Sequence, residues 1–520
     1  MPESTPATPP SVYARGDVRR KRRQRLVRRL VRVGALVIAL VVVVAGSAIG
    51  YTEYRNHQID HVQVGDLQAV PPSGVENIVL VGSTSRCALK QQNPAFGLCS
   101  DGVTGVNSDV VMILHLNPKT GTASILSIPR DLFVPNARGS EPNKIDAALA
   151  QGPEVLIKAI QEDFGIPIQH YVELNFDSFQ NVVNALGGIK MYFPMPLYDA
   201  ESSLNISTAG CHLLNGFEAL AVVRARHLQY KPPRVKTNDR AAWPYDPESD
   251  LSRIRRDHEF LRVLATAVST RGLSNPVTDN DLLGAVAPQL EVDSSFSLGD
   301  MLGTVLTFHG VNPNSAPQQT MPVIVDTENY LAGGYDYGSV ELTSQPQDLQ
   351  VVDNFLGLAA NRDTMTSKLL PAASGITVSV LNGTGISGQA AATASALRAL
   401  GLDIVGTGDS PPVGAVSETT VTYSSGHEAA AERVAHDING AVVMGLETTS
   451  QGADVTVVTG SDFAVIAPTT PSSTGATTPA STGTGAASVA SAVLAPPSPA
   501  TQKLAPFDPR ACTASGGEGS

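Results

Sequence analysis

The chain has 520 residues, a net charge of −12 and four cysteines. That length excludes a single compact domain, so two or more are expected. Only 16% of residues are charged and 5% aromatic; with Ala, Val and Gly abundant, this suits an α/β core plus some low-complexity sequence.

The charge is unevenly placed. Residues 15–32 hold ten Lys/Arg against one acid, Asp17. Val33–Gly50 (VGALVIALVVVVAGSAIG) then carries no charge. As a helix it spans about 27 Å, close to the ~30 Å hydrocarbon core of a bilayer. The basic flank is N-terminal, which keeps that end in the cytoplasm and sends the rest outside. Gly46-Ser47-Ala48 is a weak cleavage site, so the run reads as an anchor rather than a cleaved signal peptide. The basic stretch beside it reads as a topology signal rather than a nucleic-acid-binding arm. The remaining chain then faces an oxidising exterior, where Cys87, Cys99, Cys211 and Cys512 are disulfide candidates. Cys87–Cys99 is the first pairing expected, across a short loop. Cys211 and Cys512 pair with each other or stay free.

Tyr51–Gly74 reads as a stalk and Asn77–Gly82 (NIVLVG) as a buried strand. Val110–Leu116 and Thr122–Ile128 flank the turn set Asn117–Gly121, which predicts a hairpin. With the turn near Lys119, Asp109 falls opposite roughly Ile128–Arg130. A carboxylate at one strand end then meets the Arg130-Asp131 pair at the other, at a rim where polar groups are aimed outward. Asn143-Lys144-Ile145 opens a helical stretch, and Glu154–Phe164 is the next helix. Tyr171–Phe176 is a strand. Asp177 can cap a helix through Leu186 that Gly187-Gly188 terminates, and Ile189–Phe193 returns as a strand.

Phe217–Leu220 is read as a short helix and Ala221–Arg226 as a strand. Period two puts Arg224 and Arg226 on one strand face, where they repel unless something anionic lies between them. Lys231–Ser249, with Trp243, is a Pro-rich loop. Asp250 begins a helix whose apolar face is Leu251, Ile254 and Leu261, with Asp250, Arg253 and Asp257 as a neighbouring stripe. Taken alone, that stripe is an ordinary solvated face. Glu291–Ala360 continues with mixed helix and strand. Ile376–Leu381, Gly388–Leu400, Thr419–Tyr423, His427–Ile438 and Ala453–Thr459 form a second, small α/β unit. From Pro468 onward Thr, Ser, Pro, Gly and Ala dominate, and disorder is expected.

These motifs, NIVLVGS, SDVVMILHLNPKTGTASILSIPRD, NKID, NALGGI, LNGFEALAVVRAR and DLSRIRR, resemble the LytR-CpsA-Psr family of cell-wall glycopolymer ligases over roughly Glu76–Thr270. Ile376–Val465, with VLNGTGISGQAA, looks like the LytR C-terminal domain. The resemblance implies an α/β/α sandwich around a mixed central sheet, a small C-terminal α/β domain and one N-terminal transmembrane helix. The expected organisation is a basic tail at 1–32, a span at 33–50, a stalk at 51–75, the catalytic domain with its extension at 76–365, the LytR C-terminal domain at 375–466 and a disordered tail at 467–520.

The activity implied is transfer of a phosphosugar from a polyprenyl-pyrophosphate-linked glycan, arabinogalactan-like, to a peptidoglycan hydroxyl. The partners implied are that lipid, peptidoglycan and the membrane, with no nucleic acid. Such chemistry is mostly positioning and charge neutralisation, and arginine binds phosphate in two places without losing its proton. Arg130, Arg224, Arg226 and Arg253 match the family's phosphate-binding arginines, joined by Arg256, and Lys144 matches its lysine. Asp131 and Asp250 match acids that orient the arginines or assist the attacking hydroxyl. Asp109 matches an aspartate holding Mg²⁺, with Thr84 at the second metal position, where the family commonly has Asp. Asn107 and Asp257 replace a family Arg and Gln, and the Lys231–Ser249 loop is longer than usual. The lipid is expected in an apolar pocket between sheet and helices, lined by the helices at Glu154–Phe164 and Asp177–Leu186. The alternatives are a non-catalytic binding or scaffold member and a lipid pyrophosphatase.

Overall fold

A computed structural model describes residues 50–512 except 52, 88, 90–96, 103, 140, 248, 272–283, 309, 314–315, 327–328, 333, 360, 411–417, 462 and 467–503. The segment up to Gln58 is a unit of its own. No helix among the described residues is long and apolar enough to cross a membrane. Apart from Gly50, the basic tail and the Val33–Gly50 run lie outside those residues.

A seven-stranded mixed sheet forms the centre of the second unit. Its order is Asp60–Val62, Glu291–Asp293, His170–Leu174, Glu76–Ser83, Ser108–Asn117, Thr122–Ile128, Gln318–Thr320. The first strand lies inside the expected stalk and pairs in parallel with Glu291–Asp293, so part of the stalk belongs to the fold. The hairpin forms with Val111 opposite Ile128. Asn117 Oδ1 accepts the Lys119 N–H at 3.1 Å, and Gly121 supplies the positive φ that closes the turn.

Strand alternation sorts the residues onto two faces. Val79, Val81, Val111, Ile113 and Tyr171 pack with the helices Pro153–Phe164 and Gln347–Leu356 in one core. Leu80, Gly82, Val110, Met112, Val172 and Leu174 face the other way. They border a cavity closed by the helices Phe176–Ala185, Gly216–Arg224 and Ser249–Arg271. The Pro153–Phe164 helix, expected at the cavity, therefore packs on the opposite side.

Four local readings change. Asn143–Lys144 is a short strand followed by the 3-10 turn Ile145–Gln151, not an opening helix. Asn175 rather than Asp177 caps its helix, accepting the Ser178 N–H. The expected strand Ala221–Arg226 is helical up to Arg224, because Asn215 and Glu218 close a capping box that starts a helix at Gly216. The tail expected to be wholly disordered contains an ordered strap at residues 504–512. Its Arg510 and Ala511 pair with Tyr192 and Met191, and Cys512 bonds Cys211. A second disulfide joins Cys87 and Cys99.

The C-terminal unit is a five-stranded mixed sheet, ordered Asp403–Asp409, Thr377–Asn382, Val455–Thr459, Thr419–Tyr423, Val442–Leu446. It docks on the back of the first core. Tyr423 OH donates to the Glu162 carbonyl at 2.9 Å. Gln345 and Gly440 exchange backbone bonds of 2.8 Å, and Glu432 accepts from Thr364 N at 3.1 Å.

Candidate active site

The hairpin sets the geometry. Its register carries Asp109, at the start of one strand, opposite Arg130, just past the end of the other. Arg130 Nη1 donates to Asp109 Oδ1. The same guanidinium lies 3.4 Å from Asp131 and 3.5 Å from Asp146. Asp131 also takes Lys144 Nζ at 3.2 Å and Arg226 Nη2 at 3.0 Å. Burial works against its charge, but Arg130, Arg226 and Lys144 outweigh burial and hold the Asp131 carboxyl below the usual range. For Asp146 the balance reverses. Burial raises its pKa to about 6 despite Arg130, with Asp131 and Asp109 adding to the rise.

Asp109 also borders the cavity, together with Arg224, Arg253 and Asp257. Arg224 lies over the Phe176 ring at 4.7 Å and Arg86 over the same ring at 5.2 Å. Burial lowers the pKa of both guanidiniums and Asp109 opposes this, while Arg130 adds to the lowering of Arg86 and Arg86 to that of Arg224. Arg253 sits beside Asp257, one helical turn on, at 3.9 Å. Beyond this charged end the walls are apolar: Met112, Val172, Leu220, Val223, Phe260 and Leu264. The cavity holds about 160 Å³, space for a benzene-sized hydrocarbon. Ser83 Oγ, buried at its edge, has no hydrogen-bond partner among the described residues. Cations outnumber acids where the rim meets the cavity, so the arrangement suits an anionic head on a greasy tail.

Residues 42–348 match the LytR_cpsA_psr family. The chain belongs to that family. Residues 375–463 match a second family described as LytR cell envelope-related transcriptional attenuator. Among similar proteins, the probable cell wall biosynthesis protein LcpB of Corynebacterium glutamicum is 33% identical over 246 residues, 47% of this chain and 53% of that protein. The chain thus spans about half the length of that relative. LcpA of the same organism, a cell wall biosynthesis protein, is 25% identical over 83% of this chain and 86% of its own. TagT of Bacillus subtilis, a polyisoprenyl-teichoic acid–peptidoglycan teichoic acid transferase, is 28% identical over 55% of this chain and 83% of its own. A solved LytR-Csp2A-Psr enzyme from Actinomyces oris is 24% identical, covers 51% of this chain and 88% of that one, and has a TM-score of 0.42.

In this LytR_cpsA_psr chain, Asp109, Arg130, Asp131, Lys144, Arg224, Arg226 and Arg253 come together at one rim. Three expected members do not join them in the expected way. Arg256 is fully buried and turned to the back of its helix, with Asp246 at 3.3 Å and Asp508 at 3.4 Å. It is a structural cation and is not among the residues that line this cavity. Thr84 is buried with its hydroxyl engaged in both directions: it accepts the Asn107 N–H and donates to the Asn107 carbonyl, each at 3.2 Å. Its own carbonyl accepts from Arg86 at 2.6 Å. Thr84 therefore stitches two loops and aims Arg86, and it does not fit the role of metal ligand. Asp250 opens the arginine helix, but its side chain lies outside the described residues.

Among the described residues no group of three or more His, Cys, Asp or Glu is placed to hold a metal. Two carboxylates, Asp109 and Asp257, border the charged end of the cavity, and Asp257 lies against Arg253. Asp109 is the better placed for Mg²⁺, with phosphate oxygens and water completing the shell. Two residues missing from the expected set stand out, Arg86 and Asp146. Each had a signal, the Arg two residues after Thr84 in GSTSR and the acid closing NKID.

Proposed function

We propose that the chain transfers a phosphorylated glycan from a polyprenyl pyrophosphate carrier to a hydroxyl of peptidoglycan, on the outer side of a membrane in which Val33–Gly50 anchors it. The observation that carries this is Asp109, which is shared between the cationic rim and the mouth of the apolar cavity. A pyrophosphate with a prenyl tail is a chemical class that needs both at once. The first isoprene unit takes the cavity. Arg86, Arg130, Arg224, Arg226, Arg253 and Lys144 surround the two phosphates.

The acceptor oxygen forms a bond to the phosphorus that carries the glycan. The bond from that phosphorus to the bridging oxygen breaks, and polyprenyl phosphate leaves. Charge grows on the leaving phosphate, and fixed guanidiniums neutralise it without reorganising. The hydroxyl proton leaves late in such a loose transition state, so a weak acceptor suffices. Asp146, with a pKa near 6, is better suited than Asp131, whose charge three cations already hold. Mg²⁺, when bound, adds positive charge on the phosphate oxygens; Asp109 is the side chain that would hold it. The glycan we propose is arabinogalactan-like, following the resemblance of the sequence.

A second reading, a binding member without catalysis, is favoured by one observation: the Thr84 hydroxyl is tied to Asn107 and supplies no ligand. The test supplies purified protein with lipid-linked glycan, peptidoglycan and Mg²⁺ and follows glycan–wall linkage. Linkage that Arg130→Ala abolishes supports transfer. Lipid binding without linkage supports the second reading, and released phosphate without linkage supports a pyrophosphatase.

A further inference from the structure

The arginine helix is held from behind by residues from the far end of the chain. After the C-terminal unit, residues 504–512 return to the first domain. Phe507 stacks on Tyr230 at 4.5 Å and joins the apolar cluster that contains Leu220, Val223 and Phe260, all three of them cavity walls. Next to it, Asp508 is fully buried. Its carboxylate takes Arg255 Nε at 3.2 Å and Arg256 Nη1 at 3.4 Å. Its Oδ2 also accepts the Ala505 N–H at 3.2 Å, which folds the strap around the acid.

Arg256 reaches further. Its Nη2 donates to the carbonyl of Ala225, the residue between Arg224 and Arg226. A path of direct contacts therefore runs from Asp508 through Arg256 to the backbone that carries two rim arginines. The same helix carries Arg253 into the cavity wall. Asp246, at 3.3 Å from Arg256, is the other acid at this junction. Two adjacent guanidiniums, Arg256 buried and Arg255 partly so, repel each other, and a second carboxylate is what lets them stay side by side. Neutralising Asp508 lets Arg256 shift, and the Ala225 carbonyl it holds shifts with it.

We propose that Asp508 is a positioning residue of the phosphate-binding rim, and that the strap it sits on, locked by the Cys211–Cys512 disulfide, sets the direction of Arg224, Arg226 and Arg253 through Arg256. The backbone already tethers the strap through a long connection. The Cys211–Cys512 disulfide replaces it with a short one, which raises the strap's effective concentration at its docking site and makes its contacts persist. This rests on the reading of the rim and cavity as a polyprenyl pyrophosphate site.

The experiment uses the full chain in detergent and compares wild type, Asp508→Asn and Cys512→Ser. Two ligands are titrated: farnesyl pyrophosphate, which needs rim and cavity, and farnesol, which needs the cavity alone. Hydrogen exchange is followed at Ala225–His227, where the His227 N–H donates to Asp199 at 2.9 Å. Asp508→Asn is expected to weaken farnesyl pyrophosphate about tenfold or more, to leave farnesol within about twofold, and to speed exchange at Ala225–His227. Cys512→Ser is expected to do the same to a smaller degree. Unchanged exchange with unchanged pyrophosphate affinity overturns the proposal. Equal loss of both ligands also overturns it, because a strap that merely props up the domain would act on the cavity as much as on the rim. If wild type binds no farnesyl pyrophosphate, the lipid reading fails, and exchange at Ala225–His227 still decides whether the strap orders the arginine segment.

Discussion

Asp131→Asn separates orientation from attraction at the rim. The amide keeps the shape of the carboxylate and removes its charge, leaving Arg130, Lys144 and Arg226 without the acid that gathers them at 3.0 to 3.4 Å. A phosphate gripped by those cations lies roughly 6 Å from Asp131, given usual hydrogen-bond lengths. At that separation one like charge costs about 3 kcal/mol at an effective dielectric near 20, and about 1 kcal/mol once solvent at this partly open rim is allowed for. The variant should therefore bind the pyrophosphate about fivefold more tightly. It should also turn over about 100 to 1,000 times more slowly, because Arg226 and Lys144 are no longer held in one direction. The assay measures initial rates of glycan transfer against lipid concentration, with farnesyl pyrophosphate affinity measured separately. A raised KM with unchanged kcat would refute the reasoning, since it would make Asp131 a ligand of the substrate rather than a template for the cations.

Leu264→Trp should fill the cavity between Phe260 and the sheet. Farnesyl pyrophosphate affinity should fall to that of inorganic pyrophosphate, itself unchanged; titration of both ligands checks this. Thr84→Asp keeps an acceptor for the Asn107 N–H and adds a carboxylate near Asp109, so half-maximal Mg²⁺ for transfer should drop about tenfold, read from a metal titration. The docking face of the C-terminal unit should loosen as pH rises. Burial pushes Glu428 and Glu432 up to about 8 and Glu162 to about 7, from 4.5. With folded values above unfolded ones, their contribution is complete below about pH 4.5 and is lost as pH climbs to 8. Glu432→Gln should flatten the fall of Tm between pH 5 and 9, gaining ~3–5 kcal/mol over wild type at the alkaline end; parallel curves would count against it.

What could be read from residues alone was whatever local chemistry decides. The hairpin was legible because alternation and the Asn117–Gly121 turn both specify it, and register then fixes Asp109 against Arg130. The Arg224 segment is not legible locally, because Ala-Leu-Ala-Val-Val-Arg has no clear period. What decides it lies upstream, where Asn215 and Glu218 cap each other and commit the apolar run to a helix. Arg256 departs from the expected rim for a rotational reason. It follows Arg253 by three residues, which swings it about 60° around the helix, far enough to leave the cavity and meet Asp246. Its other partner, Asp508, is 252 positions away in a stretch whose composition spoke for disorder, and no local pattern links the two. Asp146 is overshadowed in the sequence by Lys144, the residue of NKID that the resemblance singles out. Only the fold shows that burial, not sequence, raises its pKa.

A rim built only of cations would attract pyrophosphate more strongly than this one does. Asp109, Asp131 and Asp146 each weaken that attraction, yet all sit within ion-pair reach of Arg130. Their presence makes sense if direction matters more than affinity. A phosphate held loosely by mobile guanidiniums is bound but not activated, and uniform binding does nothing for the chemical step. Acids placed among the arginines fix where each fork points before substrate arrives. The same logic explains why Arg256, which never meets the phosphate, is flanked by Asp246 and Asp508: it holds the Ala225 carbonyl, and through it the backbone between two forks. The acidic partners mark which cations work by position, and they mark them on both sides of the Arg224–Arg226 segment.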